Sequence, residues 1–248
     1  MSTDSNQVIP QESYDVVDWE EEMARQATAA AAIERPKVGQ ISTRAGMLSY
    51  QQVPIAGNKM NCIVVASIYE RDYYVGKFDS NNLQSPACYA FSEDGVDMVP
   101  HESIPKPINV DCDSCPYSEW GSDPNSPSKR GKLCKQIRKL ALVAFNDKGN
   151  YDNAELAIMR VPVTSVPNWS MYVTKLAGGA KRPHYAVVTE IALTPDLKTQ
   201  FQVNFQLAAK LDIEQFGVIY KLRELALKVL TTPYDPTTDE VVKESTKY

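Results

Sequence analysis

The chain has 248 residues, a formal net charge of −5 and 43% hydrophobic content, an ordinary composition with room for one sizeable core or two small ones. No stretch approaches the ~18 uninterrupted apolar residues of a membrane span. Met1 to Tyr14 also lacks the apolar core of a secretory signal, so a membrane partner is excluded and a cytoplasmic protein is expected.

The charge is unevenly placed. Residues 1–37 hold eight acids, Glu20, Glu21 and Glu22 among them, against Arg25, Arg35 and Lys37, and so carry the whole net −5. Residues 231–248 hold four acids against Lys243 and Lys247, which leaves the body at 38–230 with about +2. A sequence pI near 5.2 therefore does not exclude a polyanionic partner.

In chain order, Ser2 to Tyr14 is polar and reads as disordered, and Trp19 to Ile33 is helix-forming and ends before Pro36. Residues 1–37 are thus an acidic leader, partly disordered or helical. Gln40 to Gln52 alternates and turns at Gly46, and Met60 to Phe78, rich in Ile, Val and Tyr, predicts one or two strands. Leu83 to Lys132 has seven prolines and no helical pattern. A structureless loop of that length is improbable, so an internal staple is expected there, in an insertion at about 83–138.

Strands are predicted again at Lys139 to Asn146 and Glu155 to Val163, joined through Asp147-Lys148-Gly149-Asn150 as a hairpin. Ser165 to Ala177 predicts a short helix capped by Ser165 and stopped by Gly178-Gly179. Strands at His184 to Leu193 and Phe201 to Lys210 follow, joined by Thr194-Pro195-Asp196, then a helix over Asp212 to Leu230 with Val218, Leu222, Leu225 and Val229 at helical spacing. The fold expected is mainly β with flanking helices (α+β). This order suits a five-stranded oligonucleotide-binding (OB) barrel at 38–230, which has a helix between its third and fourth strands, followed by a flexible tail at 231–248.

Chemistry concentrates in the insertion. Cys112 and Cys115 have the two-residue gap that turns both thiolates toward one tetrahedral ion, and Cys134 and Cys88 complete four ligands for a structural Zn2+. His101 is a reserve ligand in place of Cys88. The spacing fits neither compact ferredoxin pattern, which argues against an iron–sulfur cluster. Cys62, inside an apolar run, is a core residue.

Six cations and no acid stand between Lys129 and Lys139: Lys129, Arg130, Lys132, Lys135, Arg138 and Lys139. Such a run is usually a solvated face, but the aromatics around it, Tyr69, Tyr73, Tyr74, Tyr89 and Trp120, are surfaces on which bases stack. Strand alternation means that several of those rings must be core. Lys181 and Arg182 form a second cationic group after the short helix. There is no Walker loop, no G-x-S-x-G, no H-E-x-x-H and no G-x-G-x-x-G after a strand, so no catalytic residue is assigned.

Ser85-Pro86-Ala87-Cys88-Tyr89-Ala90-Phe91-Ser92, Cys112-Asp113-Ser114-Cys115-Pro116, Trp120-Gly121-Ser122 and Arg130-Gly131-Lys132-Leu133-Cys134-Lys135 give the middle half of the chain a resemblance to a family of bacteriophage single-stranded DNA-binding proteins. The resemblance implies an OB barrel and sequence-tolerant binding of single strands in phage DNA replication and recombination, in the host bacterial cytoplasm, with no enzymatic activity. Acidic ends in such proteins recruit replication or recombination proteins, but the tail here, Ser245-Thr246-Lys247-Tyr248, lacks an acidic hydrophobic tip. Two rivals stand beside it. One is a zinc-stabilised protein-interaction adaptor of replication or transcription machinery; the other is a nuclease, which would need a metal with an open coordination position.

Overall fold

The computed structural model describes residues 19–34 (backbone alone from 27), 38–76, 84–126, 129–146, 148–149, 151 and 154–234. The expected disorder of Ser2 to Tyr14, the helix stop at Pro36, the strand end at Phe78 and the tail beyond Tyr234 lie outside them. The chain divides into two units, 1–37 and 38–248.

The first unit contains α1 (Trp19–Glu34). Its first turn holds Glu20, Glu21 and Glu22, where negative charge suits the positive end of the helix dipole. Glu22 accepts from Arg25 one turn on, at 2.7 Å.

In the second unit nine strands form one sheet: β1 (Gly39–Ser42), β2 (Ser49–Tyr50), β3 (Val53–Pro54), β4 (Lys59–Tyr73), β5 (Cys88–Ser92), β6 (Lys135–Ala144), β7 (Ala157–Val161), β8 (Val187–Asp196) and β9 (Gln200–Lys210). They run β3-β2-β1-β7-β6-β4-β8-β9, with β5 also beside β4, and the sheet curls into a half barrel. All the pairs are antiparallel except β1 with β7.

β4 organises the sheet because its apolar, β-branched run is long enough to serve three partners. One edge pairs with β6 over Cys62 to Asp72; the other pairs with β8 over Lys59 to Cys62 and then with β5 over Tyr69 to Tyr73. Between them, among the described residues, Ile63 to Ile68 faces no strand on that edge, so the sheet forks. A bulge between Val64 and Ala66 shifts the alternation by one residue. Cys62 and Val64 thus share a face with Tyr69, Arg71 and Tyr73, while Ile63, Ala66, Ile68, Glu70 and Asp72 share the other.

Each face has its own core and its own helix. α2 (Val166–Lys175) buries Trp169 and Tyr172 against Cys62, Val64, Leu140, Met159 and Phe205. α3 (Ile213–Leu230) sets Ile219, Ala226 and Leu230 against Ile63, Ile68, Ala141 and Val143. Each fully buried side chain of this kind contributes about 1.5–3 kcal/mol. α3 starts at a full capping box, with Asp212 accepting from the Gln215 backbone at 2.7 Å and Gln215 returning the contact.

Several boundaries differ from the sequence expectation. β5 lies inside the proline-rich insertion, where no strand was expected. β6 begins at Lys135 rather than Lys139. Ser165 does not cap α2: its backbone is already helical and its Oγ accepts from Val203 at 2.9 Å, tying the helix start to β9. Gly178-Gly179 do not stop the helix, which continues through them as a π turn to Ala180. β8 runs through Thr194-Pro195-Asp196, and the Asp196 carboxylate instead holds the turn by accepting from Lys198 and Thr199.

Candidate nucleic-acid interface and thiol cluster

The segment between β4 and β6 brings Cys88, Cys112, Cys115 and Cys134 to the wall of one cavity of about 10 Å³, shared with Tyr73, Tyr117 and Ser118. That volume admits about one water-sized body. Cys88 is placed by β5, and Cys112 by a hydrogen bond from its amide to the Met98 carbonyl. Cys115 precedes a short helical turn at Pro116–Ser118, and the Cys134 amide donates to the Tyr117 carbonyl at 2.9 Å. All four are free thiols. Burial pushes Cys112 up to about 11 and Cys134 up to about 12, each helped by the neighbouring thiols. Among the described residues, no group of three or more His, Cys, Asp or Glu side chains stands in the geometry of a bound metal ion.

His101 is turned away from this cavity. Its Nδ1 lies 2.9 Å from the Ser103 hydroxyl, and its ring stacks on Tyr89 at 5.1 Å. Cys62 is wholly buried in the core, where desolvation raises its thiol to about 12.

Alternation splits the cationic strip. From Lys135 onward the residues are on a strand, so Arg138 faces the α2 side and Lys139 the α3 side. The Arg138 guanidinium lies 3.3 Å from the centroid of its cross-strand neighbour Tyr69. Lys139 is 7% exposed and donates to the Leu230 carbonyl at 2.9 Å, an internal tie and not a phosphate contact. Lys135 pairs with Asp123 at 3.3 Å. Lys129 and Arg130 are exposed, and Lys132 Nζ lies 4.7 Å over the ring of Trp120, which is 76% exposed.

The other expected aromatics are largely internal. Tyr73 packs on Tyr117 at 4.8 Å, and Tyr89 is 4% exposed beneath His101 and Tyr234. Tyr69 is covered by Arg138 and by the turn at Gly95, where φ is +81° and any Cβ would stand 2.8 Å from the ring. Tyr74 is partly exposed and accepts from Arg160 at 3.3 Å. Of the second cationic group, Lys181 is exposed, whereas Arg182 donates to the Leu211 carbonyl at 3.1 Å. Among the described residues, Trp120, Lys129 and Arg130 are open to solvent in the insertion, with the half-buried Lys132 over the Trp120 ring; Lys181 is open to solvent elsewhere in the chain.

No protein-family model, no curated protein and no solved structure matches the chain. Among the described residues no helix is long and apolar enough to cross a membrane.

One cluster escaped the sequence reading. Glu70 and Asp72, both buried, point to the α3 side and share Arg160 of β7, which lies 3.2 Å from Glu70 and also contacts Asp72. Tyr234, after α3, donates to Glu70. Burial raises Asp72 to about 6, with Arg160 opposing the rise and Glu70 adding to it. The available signal was two carboxylates spaced by two in a strand-forming run, which puts both on one face.

Proposed function

We propose that this protein is a non-enzymatic, sequence-tolerant binder of single-stranded DNA of the kind phages use in replication and recombination. The observation that carries this is the Trp120 patch: an exposed indole under a lysine ammonium, beside Lys129 and Arg130, on the long loop between β4 and β6. An exposed ring stacks a base of any identity, and nearby cations neutralise the flanking phosphates.

The strand order supports an OB-type barrel for this function. β4, β6, β7, β8 and β9 stand in the order β7-β6-β4-β8-β9, with α2 between the third and fourth of them in sequence. In OB folds the loop between the first two strands is one of those that hold oligonucleotides, and here that loop carries both Trp120 and the thiols. The outer edge of β7 pairs with β1, so the half barrel is completed on that side by a strand from outside the five.

The thiol cavity suits a structural zinc ion in its donors and its size. Cys88, Cys112, Cys115 and Cys134 would hold it as thiolates, and the ion would supply a closed cross-link that rigidifies the loop. The adaptor alternative draws on a separate feature of the same loop, the exposed Val96, Val99, Ile108 and Val110.

The deciding experiment is fluorescence anisotropy with a labelled oligothymidylate and a duplex of equal length at low salt. Tighter binding of the single strand, weakening steeply as salt rises, is expected. Equal or absent binding of both overturns the proposal, and recovery of a protein partner in that case favours the adaptor.

A further inference from the structure

The fork in the sheet collects cationic groups from both faces. The turn His184–Ala186 runs beside the unpaired edge of β4, with His184 packed edge-on to Trp169 at 5.4 Å and to Tyr185 at 5.3 Å. Arg138 arrives from β6 and Arg223 from α3, its guanidinium 5.3 Å from the Tyr185 ring. Glu93, the residue just past β5, closes the fork and pairs with Arg223 at 3.3 Å.

The satisfaction of these groups is poor. His184 Nε2, Arg138 Nε and Arg223 Nε are each shielded from solvent with no hydrogen-bond partner among the described residues. A buried polar group left without a partner costs on the order of 1–3 kcal/mol, more when charged, so three such groups, two of them guanidiniums whose charge acts on the third, need an explanation. Glu93 supplies a pairing carboxylate at the fork and is itself 58% exposed at the side chain. It sits as an anion would, on the solvent side of Arg223.

We propose that Arg138, His184 and Arg223 form an anion site for a phosphate group at this fork, with Glu93 as the internal carboxylate that the phosphate displaces. Two guanidiniums give the planar donors that phosphate oxygens accept, and the imidazole adds a third donor through its Nε2 tautomer. Burial, followed by the two neighbouring guanidiniums, lowers His184 to about 4, so at neutral pH the ring is an uncharged donor. The site shares no residue with the Trp120 patch, and the phosphate has two possible sources: free phosphate, or the backbone of a bound strand.

The chain has two histidines, so ring-labelled full-length protein gives two imidazole signals, which a His101→Asn variant assigns. Inorganic phosphate and a twelve-residue oligothymidylate are titrated separately. The His184 signal is expected to move with at least one of them: a response to phosphate alone assigns a free phosphate, and a response to the oligonucleotide alone assigns a backbone phosphate. Glu93→Gln should tighten the responding ligand about tenfold by removing the competitor, and Arg223→Gln should weaken it about tenfold or more. A silent His184 signal with both ligands, in the wild type and in the surface variant Glu93→Gln, overturns the proposal. Binding that Glu93→Gln weakens or leaves unchanged also overturns it. Trp120→Ala should leave a phosphate response intact, so failure here is distinct from failure of the single-strand proposal.

Discussion

The hydroxyl of Tyr234 donates to the carboxylate of Glu70, 164 residues earlier, and so fastens the end of α3 to the middle of the sheet. Around this bond the Tyr234 ring meets Tyr89 edge-on at 4.9 Å and Phe91 at 6.4 Å, and Lys139 Nζ lies over both Phe91 and Tyr234. A tail expected to begin at residue 231 is therefore anchored through Tyr234.

Tyr234→Phe keeps this ring packing and removes one donor from a buried carboxylate whose Oε2 already has no partner among the described residues. The expected loss is about 1–3 kcal/mol, read as a lower urea midpoint with an unchanged slope. Tyr234→Ala should lose more, because it also leaves Tyr89 and Phe91 without their cover. A phenylalanine variant as stable as the wild type would show that the hydroxyl contributes nothing.

Two buried groups give opposite pH dependence in one window. Asp72 rises from 3.8 to about 6 on folding, so the folded state holds the extra proton and this group's contribution falls as pH rises from about 4 to 6. His184 drops from 6.5 to about 4, so the unfolded state holds the extra proton and its contribution rises over the same range. Their near cancellation should leave a shallow net slope from this pair. Asp72→Asn should steepen the gain in stability from pH 4 to 6.5, and His184→Asn should flatten or reverse it, each by on the order of 2 kcal/mol across the window. Denaturant midpoints at four or five pH values check both signs. The neighbours concerned are Arg160 and Glu70 for Asp72, and Arg138 and Arg223 for His184.

The sequence revealed what depends on local pattern and hid what depends on register. The run Cys62 to Ile68 announces a buried strand, and Val218, Leu222, Leu225 and Val229 announce a helix, because each signal lies within a short window. The C-x-x-C spacing and two further cysteines pointed to one meeting place, and the four thiols do line one cavity. β5 was hidden because its five residues, Cys88–Ser92, are hemmed in by prolines and become a strand by pairing with β4. The early start of β6 hid more: with Lys135 to Lys139 on a strand, the neighbouring cations Arg138 and Lys139 point to opposite faces. Glu70, Asp72 and Arg160 meet through the alignment of β4, β6 and β7, which no local window contains.

Zinc is expected to bind at one ion per chain and to displace protons, since burial holds Cys112 and Cys134 as neutral thiols near pH 7. Calorimetric titration in two buffers of different ionisation enthalpy should show proton release, and elemental analysis should give the one-to-one ratio. Cys112→Ser and Cys115→Ser should each lose the ion and lower the melting temperature. If the wild type, purified with added zinc, holds no metal, the cavity is a packed thiol core and the proposed cross-link fails.

Burial separates aromatics that serve binding from those that serve stability. Trp120 is 76% exposed, so Trp120→Ala should leave the urea midpoint within about 0.5 kcal/mol of wild type. The same change should weaken single-strand binding by about 1–3 kcal/mol, roughly five- to 150-fold. Lys132→Ala removes the cation over that ring, so it should weaken binding and lower the salt slope by about 0.7. Tyr89→Ala should do the reverse of Trp120→Ala: the residue is 4% exposed beneath Tyr234 and His101, and its loss should cost about 3–5 kcal/mol of stability. Anisotropy and urea denaturation on the three variants check the division. Trp120→Ala binding at wild-type strength would remove the observation on which the single-strand proposal stands.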